Sequence, residues 1–129
     1  MSDFIQDEQH QLLPSGNVLF AQSFIRAFES FQAKVHQNAV DHGFHEKEHD
    51  DGYYIAHLHG EVSEAWDALR HGNPPSDHIP EFSGLEEELA DVVIRAMDTA
   101  HVRGARLAQA IIAKHAHNVG RPYKHGKKF

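Results

Sequence analysis

The stretches LHGEVSEAWDALR (residues 58–70) and LEEELADVVIR (residues 85–95) decide the fold. Each repeats apolar residues three or four positions apart, the spacing of one face of an α-helix. Each also carries two acids at i,i+3 spacing, so that both acids lie on one side of their helix. These acids are Glu61, Glu64, Glu88 and Asp91. The sequence therefore predicts two amphipathic helices, each with an acidic pair.

Apolar stripes elsewhere in the chain predict two more helices, and no segment shows the alternation of a strand. Ser83 with Glu86 fits a capping box before the second acidic helix. The four predicted helices span about 18–41, 53–71, 84–103 and 105–119. Short connections between them predict an all-α domain of four-helix-bundle type over residues 17–129. A flexible arm is expected at 1–16.

We expect the Phe residues of the first helix to lie in the core or in a dimer interface, and Trp66 to lie in the core or at an interface. By helical phase, Glu61 lies at the edge of its stripe, and Glu64 and Asp91 lie further round. Burial of these acids is therefore expected to require another helix layer or a second subunit. The third helix is apolar on almost all sides, which indicates a central position in a homo-oligomer. The predicted stripes comprise Phe20, Phe24, Phe28, Phe31, Val35, Ile55, Leu58, Val62, Trp66, Leu69, Leu85, Leu89, Val92, Val93, Ala96 and Ala100.

Composition narrows the classes of protein to consider. The 129 residues include no cysteine, so a disulfide framework and thiolate chemistry are excluded. No apolar run is long enough to span a bilayer, and the first fifteen residues lack the pattern of a secretory signal. We expect a single-domain cytoplasmic protein that does not contact membranes.

The net charge of −7 is unevenly distributed. All nineteen acidic residues lie at or before Asp98, whereas residues 99–129 contain seven Lys or Arg and no acid. A solvated basic tail is one interpretation. The other is that one part of the chain holds a metal and another part binds phosphate oxygens. Nucleic-acid binding is not expected, because the chain as a whole is acidic.

The two acidic pairs favour a metal site if their helices lie side by side. Four nearby carboxylates repel one another unless a cation lies among them. Mg²⁺ suits such a set because it prefers oxygen ligands. Taken singly, each acidic pair is more typical of a solvated helix face than of a metal site.

A third block, KHAHNVGRPYKHGKK (residues 114–128), completes a resemblance. The three blocks in this order resemble the MazG-like nucleotide pyrophosphohydrolases of the all-α NTP pyrophosphatase superfamily, over roughly residues 18–128. The resemblance implies a MazG-type fold, completed by homo-oligomerisation into a dimer or tetramer. It implies Mg²⁺, or Mn²⁺ as a substitute, held by Glu61, Glu64, Glu88 and Asp91. It implies substrate binding by Lys114, Asn118, Arg121, Tyr123 and Lys124.

The implied reaction is hydrolysis of a nucleoside triphosphate, with ribose or deoxyribose, to the monophosphate and pyrophosphate. Glu61 or Glu64 would accept a proton from the attacking water, and the sequence does not choose between them. The region of the base pocket, residues 34–49, matches the family only loosely, so base preference stays open. Housecleaning of the nucleotide pool is one role for such an enzyme. The alternative function is a helical module that binds nucleotides or a protein partner without turnover.

Three further features have competing interpretations. His49 with Asp50 is similar to the ligand pair of HD-type phosphohydrolases, but it falls in a charged loop. His57, four residues before Glu61, could bind zinc, although a surface histidine is the simpler interpretation. Gly60 indicates either close helix packing or room for a ligand beside Glu61.

Overall fold

The computed structural model describes residues 18–128, apart from the side chain of His125. The helices are α1 (Val18–Asp41), α2 (Asp51–Arg70), α3 (Gly84–Arg103), α4 (Leu107–Val119) and a 3₁₀ helix (Tyr123–Gly126). Between residues 18 and 128 there is no strand, only an isolated bridge between Pro75 and Ser83. The all-α prediction is confirmed. The arm predicted at 1–16 lies outside the described residues.

None of the described helices combines the length and apolar character needed to cross a bilayer. The chain divides into two compact units. We call Gln32–Gly104 the middle unit. Among the described residues, the terminal unit comprises 18–31 and 105–128. Helix α1 contributes to both units, since its first part precedes Gln32.

The terminal unit has a small apolar core. Ala21 and Ile25 of α1 pack with Ala108 and Ile112 of α4, and two aromatic rings cover this cluster. These rings are Phe24 and Phe28, whose centroids lie 5.5 Å apart. These side chains form the contact between α1 and α4.

The middle unit contains an antiparallel pair of helices, α2 and α3. An ion pair between Arg103, at the end of α3, and Asp51, at the start of α2, fixes this direction. At the other end of the pair, a Cβ on Gly84 would lie 3.1 Å from the Cβ of Ala68. Glycine at this position lets the first turn of α3 approach α2.

Hydrogen bonds hold the connector between α2 and α3. The Asn73 Oδ1 accepts from the Leu85 backbone N–H at 2.8 Å. The capping box is confirmed, since Ser83 Oγ accepts from the Glu86 N–H and Glu86 Oε1 accepts from the Ser83 N–H. Gly104 ends α3 with φ of +64°, which glycine adopts without strain. These contacts fix which faces of α2 and α3 meet.

Within the single chain, the predicted apolar stripe of α2 does not form a core. Trp66 is 63% exposed, and most of its predicted stripe is exposed too. The buried residues of α2 are Tyr54, Glu61 and Ala65. These residues lie about a quarter of a turn round the helix from the centre of the stripe, so a neighbouring face of α2 meets α3. The exposed members of the predicted stripes are Phe20, Phe31, Ile55, Val62, Trp66, Leu69, Leu89 and Val93.

Candidate active site

The α2–α3 pair brings the two acidic pairs together. Carboxylate oxygens of Glu61, Glu88 and Asp91 all lie within 4.8 Å of one another. The carboxyl of Glu64 contacts those of Glu61 and Glu88. We call these four side chains the acidic cluster. It forms within one chain, where Glu61 is only 8% exposed, so of the two expected alternatives, another helix layer or a second subunit, burial of Glu61 does not require the second subunit.

Arg95 supplies a positive charge to this cluster. Its Nε donates to Glu61 Oε1 at 2.5 Å. Arg95 follows Asp91 by four positions, so it lies on the same side of α3. This role was not predicted from sequence, although Asp91 and Arg95 have i,i+4 spacing within residues 85–95.

The pKa values within the cluster diverge. Burial raises the pKa of Glu61, but the hydrogen bond from Arg95 and contact with Glu64 outweigh it, so that the net shift is downward. Contact with Glu61, followed by burial, raises the pKa of Glu64. Burial, followed by repulsion from Glu61, raises the pKa of Asp91. Two neighbouring carboxyls with opposite shifts are typical of acid–base sites.

Glu88 has the largest shift. Burial and contact with the carboxyls of Glu64 and Glu61 raise its pKa from 4.5 to about 7. Its Oε2 is buried, yet it accepts no hydrogen bond from any residue within 18–128. A buried oxygen without a partner is costly. An all-oxygen set with one unpartnered member fits a hard cation such as Mg²⁺.

Glu87, next to Glu88 in sequence, forms hydrogen bonds with the connector between α2 and α3. It accepts from Ser76 Oγ at 2.9 Å, and its other oxygen lies 2.6 Å from Nδ1 of His78. These two hydrogen bonds, with that to His78 first, lower the pKa of Glu87. Glu87 thus holds the connector against the first turns of α3.

A cavity of about 260 Å³ adjoins the acidic cluster within the middle unit. Glu61, Asp91 and Arg95 line it, and aromatic rings from α2 and the preceding loop add apolar walls. Part of the region that matched the family loosely, residues 34–49, also lines it. Trp66 is not among the lining residues. The lining residues are Val35, Asn38, Ala39, Phe44, His45, Tyr53, Tyr54, His57, Glu61, Asp91, Ile94, Arg95, Asp98 and Thr99.

The predicted phosphate-binding residues lie in the terminal unit. Lys114 and Asn118 are on α4, and Arg121 follows that helix. Tyr123 and Lys124 begin the 3₁₀ helix, where the Lys124 ammonium lies 5.8 Å from the centre of the Tyr123 ring. Their role toward a substrate stays a prediction.

Other sequence features find structural explanations. Asp50 caps α2 by accepting from the Tyr53 N–H at 2.9 Å, and the His49 ring stacks on Tyr53. Close packing does not explain Gly60, because no described atom lies within 4 Å of where its Cβ would be. Gly60 instead borders an open pocket beside Glu61 and Glu64.

Comparisons of the chain with protein-family models, with curated proteins and with solved structures found no match.

Proposed function

We propose that this protein is a Mg²⁺-dependent nucleoside triphosphate pyrophosphohydrolase, which converts a (d)NTP and water to the monophosphate and pyrophosphate. The observation that carries the proposal is the convergence of four carboxylates from α2 and α3 beside a cavity. The choice of reaction is based on the resemblance of the three sequence blocks to the MazG-like enzymes.

The charge balance of the acidic cluster supports a cation. Among the described contacts, Arg95 offers one guanidinium to four carboxylates. Burial is the largest cause of the raised pKa values of Glu88 and Asp91, and contact with Glu61 is the largest for Glu64. The repulsion that remains between the carboxylates adds to these shifts. A divalent ion held by Glu61, Glu64, Glu88 and Asp91 would remove it. When bound, Mg²⁺ neutralises phosphate oxygens and lowers the pKa of a coordinated water.

The structure favours Glu64 over Glu61 as the proton acceptor. Glu61 is buried and engaged by Arg95, and its pKa is lowered. Glu64 is exposed and lines an open pocket beside Glu61, where a water molecule can reach its carboxylate. Arg95, on the cavity wall, would hold Glu61 in its ionised form.

Two further parts of the proposal rest on the resemblance. Lys114, Asn118, Arg121, Tyr123 and Lys124 would bind the phosphates through charge-assisted hydrogen bonds. The protein would act as a homodimer or homotetramer. The exposed apolar side chains of α2 and α3 favour such association, because large apolar patches on a protein surface commonly mark interfaces.

The test is pyrophosphate release from a panel of NTPs and dNTPs with Mg²⁺. We expect wild-type protein to release pyrophosphate from at least one of them. Glu64→Gln keeps the size of the side chain and removes the base, so we expect a loss of about 100-fold or more in kcat. Glu81→Gln, at an exposed connector position, serves as the matched control and should keep full activity.

Circular dichroism would show that Glu64→Gln stays folded. Absence of release from every nucleotide with metal present would contradict the proposal. If the wild-type protein nevertheless binds nucleotides, the non-catalytic binding module becomes the better description.

A further inference from the structure

A second group of metal-ligating side chains lies in the middle unit, apart from the acidic cluster. His36 on α1 and His45 in the following loop both face Asp98 of α3. His36 Nδ1 lies 2.9 Å from Asp98 Oδ1, and His45 Nε2 lies 2.9 Å from Asp98 Oδ2. The side chains of His36, His45 and Asp98 are 22%, 13% and 18% exposed. We call these three residues the His–Asp cluster.

The donor atoms lie close enough together to share one ion, since a ligand atom of each of His36, His45 and Asp98 lies within 4.8 Å of the others. Nitrogen and oxygen ligands lie about 2.1 Å from Zn²⁺, so neighbouring ligands of a tetrahedral ion are about 3.4 Å apart. The two nitrogen-to-oxygen distances of 2.9 Å are shorter than this and equal those of hydrogen bonds, so the side chains would move apart slightly to admit the ion. Two imidazoles with one carboxylate suit Zn²⁺, Fe²⁺, Co²⁺ or Ni²⁺, whereas Mg²⁺ prefers oxygen alone.

A neighbouring hydroxyl orients one of the two imidazoles. The Tyr54 hydroxyl lies 3.3 Å from Nδ1 of His45, on the opposite side of the ring from Asp98. If Nδ1–H donates to Tyr54, the lone pair of Nε2 points toward Asp98, which is the arrangement of a metal-ligating histidine. The His101 ring stacks on His36 with centroids 4.2 Å apart and restricts the rotation of that imidazole.

The His–Asp cluster is distinct from the acidic cluster. Asp91 and Asp98 are seven residues apart on α3, which is about 10 Å along the helix axis. Two ions that share one catalytic centre lie about 3.5–4 Å apart, so the two clusters cannot form such a pair. Both clusters border the same cavity, through Glu61 and Asp91 in one case and His45 and Asp98 in the other.

We propose that His36, His45 and Asp98 form a second metal site, which takes a borderline transition-metal ion such as Zn²⁺ and fastens α1 and the following loop to α3. This site is additional to the proposed Mg²⁺ site and does not depend on catalysis. The competing arrangement is a carboxylate that accepts hydrogen bonds from two neutral histidines. That arrangement places the proton of His45 on Nε2, whereas metal ligation places it on Nδ1.

The test is a titration of the full chain with Zn²⁺ in excess Mg²⁺, which occupies the acidic cluster, followed by calorimetry and by ¹⁵N NMR of the histidine rings. We expect one tight Zn²⁺ per chain, with Nδ1 of His36 and Nε2 of His45 becoming metal-bound. His45→Asn and His36→Asn should each weaken this binding by about tenfold or more. His59→Asn, at an exposed position on α2, is the matched control and should bind Zn²⁺ as the wild type does.

The ¹⁵N spectra of the histidine rings in the wild-type protein show whether His36 and His45 bind Zn²⁺, even if a variant does not fold. If Zn²⁺ leaves the His36 and His45 resonances unchanged, the proposal is overturned. Equal Zn²⁺ affinity of folded His45→Asn and wild-type protein would overturn it too. Glu64→Gln should abolish pyrophosphate release and keep Zn²⁺ binding, so this site and the proposed function can fail separately.

Discussion

At the scale of single residues, Glu88 has the most strongly raised pKa of the acidic cluster, because its carboxyl is buried beside other carboxyls. Its pKa rises from 4.5 to about 7 on folding. Between these values the folded chain binds more protons than the unfolded chain, so the contribution of Glu88 to stability falls as the pH rises through this window. We predict that Glu88→Gln raises the melting temperature of the metal-free protein at about pH 8, where the wild-type carboxylate is ionised.

Thermal unfolding at several pH values would measure this effect. Well below pH 4.5, Glu88 is protonated in both states and the advantage of the variant should disappear. Glu81→Gln controls for the loss of one surface charge. Mg²⁺ should stabilise the wild-type protein more than Glu88→Gln at the higher pH. A melting-temperature difference that is the same at low and high pH would contradict the raised pKa.

The residues of the acidic cluster could be predicted from sequence because i,i+3 spacing is a local property of a helix. The burial of Glu61 and its contact with Arg95 could not. They depend on the face that α2 turns toward α3, which the connector determines. The His–Asp cluster was also missed, since His36, His45 and Asp98 are far apart in sequence and share no ligand spacing.

At the scale of elements, Ser76 anchors the connector between α2 and α3. Ser76 Oγ donates to Glu87 Oε2 and accepts from the backbone N–H groups of His78 and Ile79, each at 3.1 Å. Ser76 is buried, so its loss leaves a carboxylate and two N–H groups without this partner. We predict that Ser76→Ala lowers the free energy of unfolding by about 1–3 kcal/mol.

Urea unfolding would measure the change. Ser63→Ala, an exposed serine on α2, is the matched control and should change the free energy of unfolding by less than about 0.5 kcal/mol. Should Ser76→Ala prove as stable as Ser63→Ala, the connector would owe its conformation to other contacts. Asn73 and Pro74 would then be the first to consider, since both accept hydrogen bonds from the start of α3.

Helix boundaries were predictable where the cap is local. The Ser83 capping box and the end of α3 at Gly104 were both confirmed. Helix α2 begins at Asp51, two residues before the predicted start, because the Asp50 carboxylate accepts the Tyr53 N–H. Helix α4 begins at Leu107, two residues late, and no side chain caps it at Arg106.

At the scale of the whole molecule, apolar side chains that were predicted to be buried are exposed in the single chain. Val62, Trp66 and Leu69 lie on one face of α2 and are each at least 45% exposed. Their spacing correctly predicted one apolar face, but no other part of the described chain covers that face. We predict that Trp66→Lys weakens self-association by about 30-fold or more, the effect of losing a large aromatic anchor.

Sedimentation equilibrium would give the dissociation constants. Asp67→Lys introduces the same side chain one position away, on another side of the exposed helix, and should leave association much closer to that of the wild type. A wild-type protein that sediments as a monomer at every concentration would contradict the homo-oligomer.

The acidic cluster draws all its members from residues 61 to 91, on two helices joined by a short connector. The cationic residues assigned to phosphate come later, from residue 114 onward. Because the ribosome makes the chain from its N-terminus, the segment that would hold the ion is complete before the segment that would grip the nucleotide is translated. A nascent chain therefore carries its densest negative charge while its compensating positive end is still unmade.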